Sequence, residues 1–119
     1  MPRVAVVFFK EADGSVPMRD WLDSIAPKAA AKCLARLKRL EDRGHELRRP
    51  EADYLRDGVY ELRVGFQGIH YRMLYFFHGR TAAVVSHGVV KERAVPPGAI
   101  DLAVERKKKF EKAPTTHSE

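Results

Sequence analysis

The chain has 119 residues, 22 of them Lys or Arg and 16 Asp or Glu, for a formal net charge of +6. With 45% hydrophobic and 32% charged residues it has the length of one domain, and the composition excludes a disordered or collagen-like chain. The single cysteine, Cys33, excludes a disulfide framework and a cysteine-based zinc site, and no apolar run approaches the ~20 residues of a membrane span.

Met1 to Phe9 reads as a first strand of β-branched and aromatic residues, closed by Lys10 and Glu11; its apolar part, from Val4, is too short for a signal peptide. Asp13-Gly14 marks a turn. Ser15 and Pro17 open a helix in which Met18, Trp21, Leu22 and Ile25 recur at helical spacing. Pro27 restarts the chain, and a second helix runs from about Lys28 to Arg43, capped by Gly44. Ala30, Cys33, Leu34, Leu37 and Leu40 lie on one side of it. Lys28, Lys32, Arg36, Arg39 and Arg43 lie on another, either as a solvated face or as a ridge along a phosphate backbone.

Residues 45–58 read as a polar connection containing Pro50 and closing on Asp57-Gly58. Three strands follow. In Val59 to Val64, Tyr60, Leu62 and Val64 alternate with Glu61 and Arg63. After Gln67-Gly68, Ile69 to Phe77 carries Tyr71, Met73 and Tyr75 on one face and His70, Arg72 and Leu74 on the other. Gly79 turns the chain into Thr81 to Val90, apolar enough for a central strand. Pro96-Pro97-Gly98 breaks the chain before a last helix, Ala99 to Lys112, with Ile100, Ala103, Val104 and Phe110 facing the core. Residues 113–119 are expected to form a flexible tail. The order strand, helix, helix, three strands, helix predicts a single α+β domain over 1–112, its antiparallel meander completing the sheet.

Three segments carry a resemblance: Asp57-Gly58-Val59-Tyr60-Glu61-Leu62-Arg63, Tyr71-Arg72-Met73-Leu74-Tyr75, and His87-Gly88-Val89-Val90-Lys91-Glu92-Arg93 ahead of prolines and a basic helix. As a set they resemble the RelE/ParE toxin superfamily in its HigB-like, phage-derived branch. The resemblance covers 1–112 in element order, with its specific motifs in 54–93. It implies a small RelE-like fold and the toxin of a type II toxin–antitoxin pair: a ribosome-dependent, metal-independent endoribonuclease that cuts translated messenger RNA. It implies no cofactor and no membrane, a cytoplasmic location, and two partners. One is the ribosome with its message. The other is a cognate antitoxin, usually a helix-turn-helix DNA-binding protein, in a complex whose stoichiometry, up to a higher-order oligomer, stays open. The ParE-like branch of the same superfamily poisons DNA gyrase without cutting RNA. A catalytically inert ribosome-binding remnant is a third reading.

Metal-free RNA cleavage uses the ribose 2′-hydroxyl as nucleophile, so cationic side chains must stabilise the phosphorane. Arg63, Arg72 and Lys91 match the basic positions of the family's motifs, and Arg93 is an alternative to Lys91. The structural alternative for the two strand arginines is a salt bridge to Glu61. One carboxylate leaves at least one of them free if no other acid is near. Relatives often place a tyrosine or histidine in or near the last helix, where this chain has Pro96, Pro97, Gly98 and Ile100. His87 is then the remaining acid–base candidate, because an imidazole titrates near neutrality; a satisfied strand histidine is the alternative. An arginine neighbour weakens Glu61 as a base, and His70 shares the face of Arg72. Arg93, Lys32, Arg36, Arg39, Arg56, Arg106, Lys107 and Lys108 are the candidate RNA-binding cations. His70, His78 and His87 show no metal-ligand spacing, Cys33 reads as a small core residue, and Tyr71, Tyr75, Phe76 and Phe77 serve either base stacking or, more commonly, the core.

Overall fold

The structure is a computed structural model that describes residues 3–90 and 94–119. Its elements are β1 (Ala5–Phe8), α1 (Pro17–Ser24), α2 (Pro27–Arg43), β2 (Ala52–Arg56), β3 (Val59–Phe66), β4 (Ile69–His78), β5 (Ala82–Val90) and α3 (Pro97–Lys112). The five strands form one mixed sheet in the order β1-β5-β4-β3-β2. β1 runs parallel to β5 and the other neighbours are antiparallel. Two tight turns set the register. Asp57-Gly58 and Gln67-Gly68 each place both residues at positive φ, the backbone that a two-residue hairpin loop needs.

The α1–α2 pair covers one face of the sheet. Met18, Cys33, Leu37 and Leu40 pack there on Leu62, Val64, Tyr71, Met73, Tyr75 and Val85. Burying each large side chain of this set contributes about 1.5–3 kcal/mol. Trp21 lies directly on β5 at Gly88, where a Cβ would overlap the indole. Cys33 is a core residue, and burial pushes its thiol pKa up to about 11. Tyr71, Tyr75 and Phe76 are buried, and Phe77 packs against Tyr60 and Tyr75 and stacks on His45, so this aromatic strand is committed to packing.

α3 lies on the opposite face. Ala103 packs with Val59, Leu74 and Val95, and Phe110 with Phe9, Phe76 and Val84. No helix among the described residues is long and apolar enough to cross a membrane.

The α+β class holds, but the expected four strands are five. The segment read as a polar connection contains β2, which pairs with β3. Of its five residues only Ala52 is buried, so as an edge strand it shows little apolar alternation. The tail, expected to be flexible, returns to the sheet. His117 stacks on Phe9 at 4.8 Å, the Lys10 amide donates to the His117 carbonyl at 2.8 Å, and Ser118 bridges Phe9. The expected start of the first strand at Met1 lies outside the described residues.

Candidate functional site

Strand alternation turns Glu61 and Arg63 of β3 and Arg72 of β4 away from the α1–α2 face, onto the side that α3 covers only in part. Arg63 and Arg72 are direct cross-strand partners. Two cations so placed repel unless a carboxylate joins them. Glu61 does so: its Oε2 accepts from Arg63 Nη2 at 2.9 Å, and its Oε1 lies 2.9 Å from Arg72 Nε.

That second contact is an ion pair without an aligned hydrogen bond. Glu61 Oε1 is the one buried side-chain oxygen or nitrogen without a hydrogen-bond partner among the described residues. Among the described residues Arg72 itself donates one long bond, at 3.4 Å to the Tyr71 carbonyl.

The chain of charges continues onto β2. Arg63 Nη2 donates to Asp53 Oδ2 at 3.2 Å, and Arg49 Nε donates to the same oxygen at 2.9 Å. Slight burial pushes the Asp53 carboxyl up, but the Tyr54 amide, Arg49 and Arg63 outweigh it and hold its pKa below the usual value. Three guanidiniums and two carboxylates thus run across β4, β3 and β2 with a surplus positive charge. Another acid is near, so the condition of a lone carboxylate is not met: Glu61 reaches both strand arginines, and Asp53 adds a second carboxylate to Arg63. Asp53 escaped the sequence reading because β2 did, since only a strand there places Asp53 opposite Glu61.

His87 lies on the same face. It pairs with Leu74, while its neighbour but one, Val89, pairs with Arg72, so His87 and Arg72 are diagonal neighbours. A bulge leaves Ser86 without a register partner between Val85 and His87. Ser86 Oγ and His87 Nδ1 are 2.7 Å apart. Burial, aided by the Arg106 charge, pulls the imidazole pKa down to about 4. The imidazole is therefore neutral near pH 7, and the expectation that it titrates there is corrected.

Arg106 is not a surface cation. It is buried, sits 5.6 Å over the Phe9 ring, and donates to Glu11 Oε2 at 3.0 and 3.2 Å and to Ser86 Oγ at 3.3 Å. Its placement as RNA-binding is corrected, because its guanidinium is consumed inside the fold. Arg39 makes a two-pronged pair with Glu51 at 2.8 Å, and Arg36 donates to the Arg63 carbonyl. Lys32 extends over the Phe66 ring, at 5.6 Å. Arg56 joins Asp57 and Asp101, tying β2 to α3. Lys107 pairs with Glu111 at 3.1 Å, its stem against Gly58, whereas Lys108 is exposed. His70 is exposed at the start of β4. Lys91 and Arg93 lie outside the described residues. Among the described residues no three His, Cys, Asp or Glu side chains gather as a metal site.

Residues 20–108 match the family described as Phage derived protein Gp49-like (DUF891). The matched span holds the charged cluster, Ser86, His87 and Arg106. A search of the curated proteins finds no match.

Proposed function

From the premise that the chain belongs to the phage-derived Gp49-like family, a RelE/toxin-like family, we propose that it is the toxin of a toxin–antitoxin pair and a HigB-like endoribonuclease that cuts translated messages on the ribosome. The family implies an antitoxin partner; a helix-turn-helix protein is the type we expect. The observation that carries the nuclease reading is the Arg63–Glu61–Arg72 arrangement on the partly open face of the sheet.

In this reaction the 2′-oxygen forms a bond to phosphorus while the bond from phosphorus to the 5′-oxygen breaks. The 2′-hydroxyl loses its proton and the leaving oxygen gains one. Arg72 suits the developing phosphorane charge because its Nη atoms make only one long hydrogen bond among the described residues. Arg63 is held by two carboxylates and adds charge from one strand away. Lys91 is the third proposed phosphate ligand, with Arg93 as the alternative. Glu61 is the positioning carboxylate. Lys32 and Lys108, both exposed, suit contacts with ribosomal RNA phosphates.

The test is induced expression of wild type and Arg72→Ala in a bacterium, with primer extension on a translated reporter. Growth arrest with discrete cuts inside the reading frame, lost in the variant, supports the reading. A gyrase-inhibitor reading is favoured by one observation, that both strand arginines have carboxylate neighbours. Arrest without cuts, together with lost supercoiling, would select it. No arrest despite stable expression would select an inert remnant.

A further inference from the structure

The β5 bulge does something a regular strand cannot. It brings consecutive residues, Ser86 and His87, to one face, so that their side chains meet at 2.7 Å. Behind Ser86 stands Arg106, two of whose nitrogens are spent on Glu11, leaving Nη1 to donate to Ser86 Oγ at 3.3 Å and to the Ser86 carbonyl at 3.5 Å.

A guanidinium has donors and no acceptor, so Ser86 Oγ must accept from Arg106. The hydroxyl hydrogen of Ser86 then needs an acceptor of its own. Ser86 is fully buried, and among the described residues the acceptor at hydrogen-bond distance from Oγ is His87 Nδ1. If Nδ1 carried a proton instead, Ser86 Oγ would face two donors and its own hydrogen would be buried without a partner, an expensive arrangement. The relay Glu11–Arg106–Ser86–His87 therefore runs in one direction and puts the imidazole proton on Nε2. That nitrogen has no hydrogen-bond partner among the described residues and is not among their buried unpartnered atoms.

We propose that Arg106 and Ser86 are positioning residues that lock His87 as its Nε2–H tautomer, so that it meets the substrate phosphate beside Arg72 as a neutral hydrogen-bond donor and not as the general base. The tautomer follows from the fold alone; the phosphate as recipient rests on the ribonuclease reading above. The low basicity of the imidazole agrees with this, since protonating Nδ1 would break the relay and add a charge near Arg106.

The experiment is a long-range proton–nitrogen correlation spectrum of the full chain, labelled with nitrogen-15 in histidine, at pH 7, with His87 assigned through His87→Gln. Wild type should show an unprotonated Nδ1 and a protonated Nε2. Ser86→Ala should give a mixture of both tautomers, and Ser86→Thr, which keeps the hydroxyl, should restore the single one; dispersed amide spectra check that both variants fold. A wild-type Nδ1–H form, an imidazolium, or an unchanged pattern in Ser86→Ala would overturn the proposal. Message cleavage is read separately. His87→Ala should lose ~10²–10³-fold, and His87→Gln, which keeps a side-chain donor, should lose less than His87→Ala. Equal, complete loss in both would restore the base role. A wild type that cuts no message would remove the phosphate as recipient, while the spectrum still decides the relay.

Discussion

Arg72 stands with its Nε 2.9 Å from Glu61 Oε1, yet no N–H points along that line. The ion pair is made and the hydrogen bond is not. Among the described residues the Arg72 Nη atoms make one long hydrogen bond, to the Tyr71 carbonyl, whereas Arg63, tied to Glu61 and Asp53, has its Nη2 spent. The two motif arginines are therefore unequal.

That inequality sets the first expectation. Arg72→Ala should reduce message cleavage by ~10²–10³-fold, the usual effect of removing one preorganised donor. Arg63→Ala should reduce it less. Arg72→Lys should recover only part of the activity, since an ammonium cannot offer two parallel donors. Single-turnover cleavage on programmed ribosomes measures all three, and a larger loss at Arg63 than at Arg72 would refute the ranking.

Glu61 offsets the repulsion between two facing cations. Glu61→Gln should destabilise the fold by about 3 kcal/mol, the range expected when one side of a buried ion pair is removed. Adding Arg72→Gln should then cost less than it does alone, with a coupling of about 0.5–3 kcal/mol. Urea unfolding of the four species in the cycle checks this, and additive effects would show that the pair is not coupled.

The low imidazole pKa carries a stability signature with a definite sign. In the unfolded chain His87 gains its proton near the ordinary value of 6.5, but in the fold only near 4. Between these the unfolded state binds the extra proton, so stability falls as pH drops from 6.5 towards 4 and levels off below. The loss from this residue amounts to about 3 kcal/mol. The urea midpoints at neutral and mildly acidic pH should differ less in His87→Gln than in wild type. Identical pH dependence in the two would contradict the assigned environment.

Gly88→Ala should be among the most damaging small substitutions, because its Cβ falls inside the Trp21 indole. Overpacking of this kind costs about 1–3 kcal/mol. Trp21→Leu should relieve part of that loss in the double variant while costing stability alone. Thermal unfolding separates the cases.

Charge at Lys108 should act on RNA and not on the fold. Lys108→Glu should leave unfolding unchanged, weaken ribosome association, and flatten its dependence on the logarithm of salt concentration by about one phosphate contact or more. Arg106→Ala should do the reverse and lower stability first. Sedimentation with ribosomes across a salt series distinguishes them.

Much of this was legible in the sequence. The apolar helix faces, the turn at Gln67-Gly68 and the alternation that separates Glu61, Arg63 and Arg72 from the α1–α2 face follow from period and turn chemistry. β2 was hidden because an edge strand needs little apolar alternation, and Asp53 was hidden with it. Arg106 was misread because a basic run on a helix looks like a surface, and the acid that draws it inward, Glu11, is far away in the chain. Ser86 could not be singled out at all. Its place depends on a bulge, which no local residue announces.

The returning tail has a consequence of another kind. The Glu119 amide donates to the Phe8 carbonyl at 3.2 Å, on the side of β1 away from β5, and Ser118 bridges Phe9. A sheet edge with free backbone groups invites a strand from another molecule, and β1 carries Val6 and Phe8 beside the exposed Leu34. Residues 117–119 close that end of the edge with the chain's own backbone. Any partner that adds a strand at Phe8 and Phe9 must first displace them.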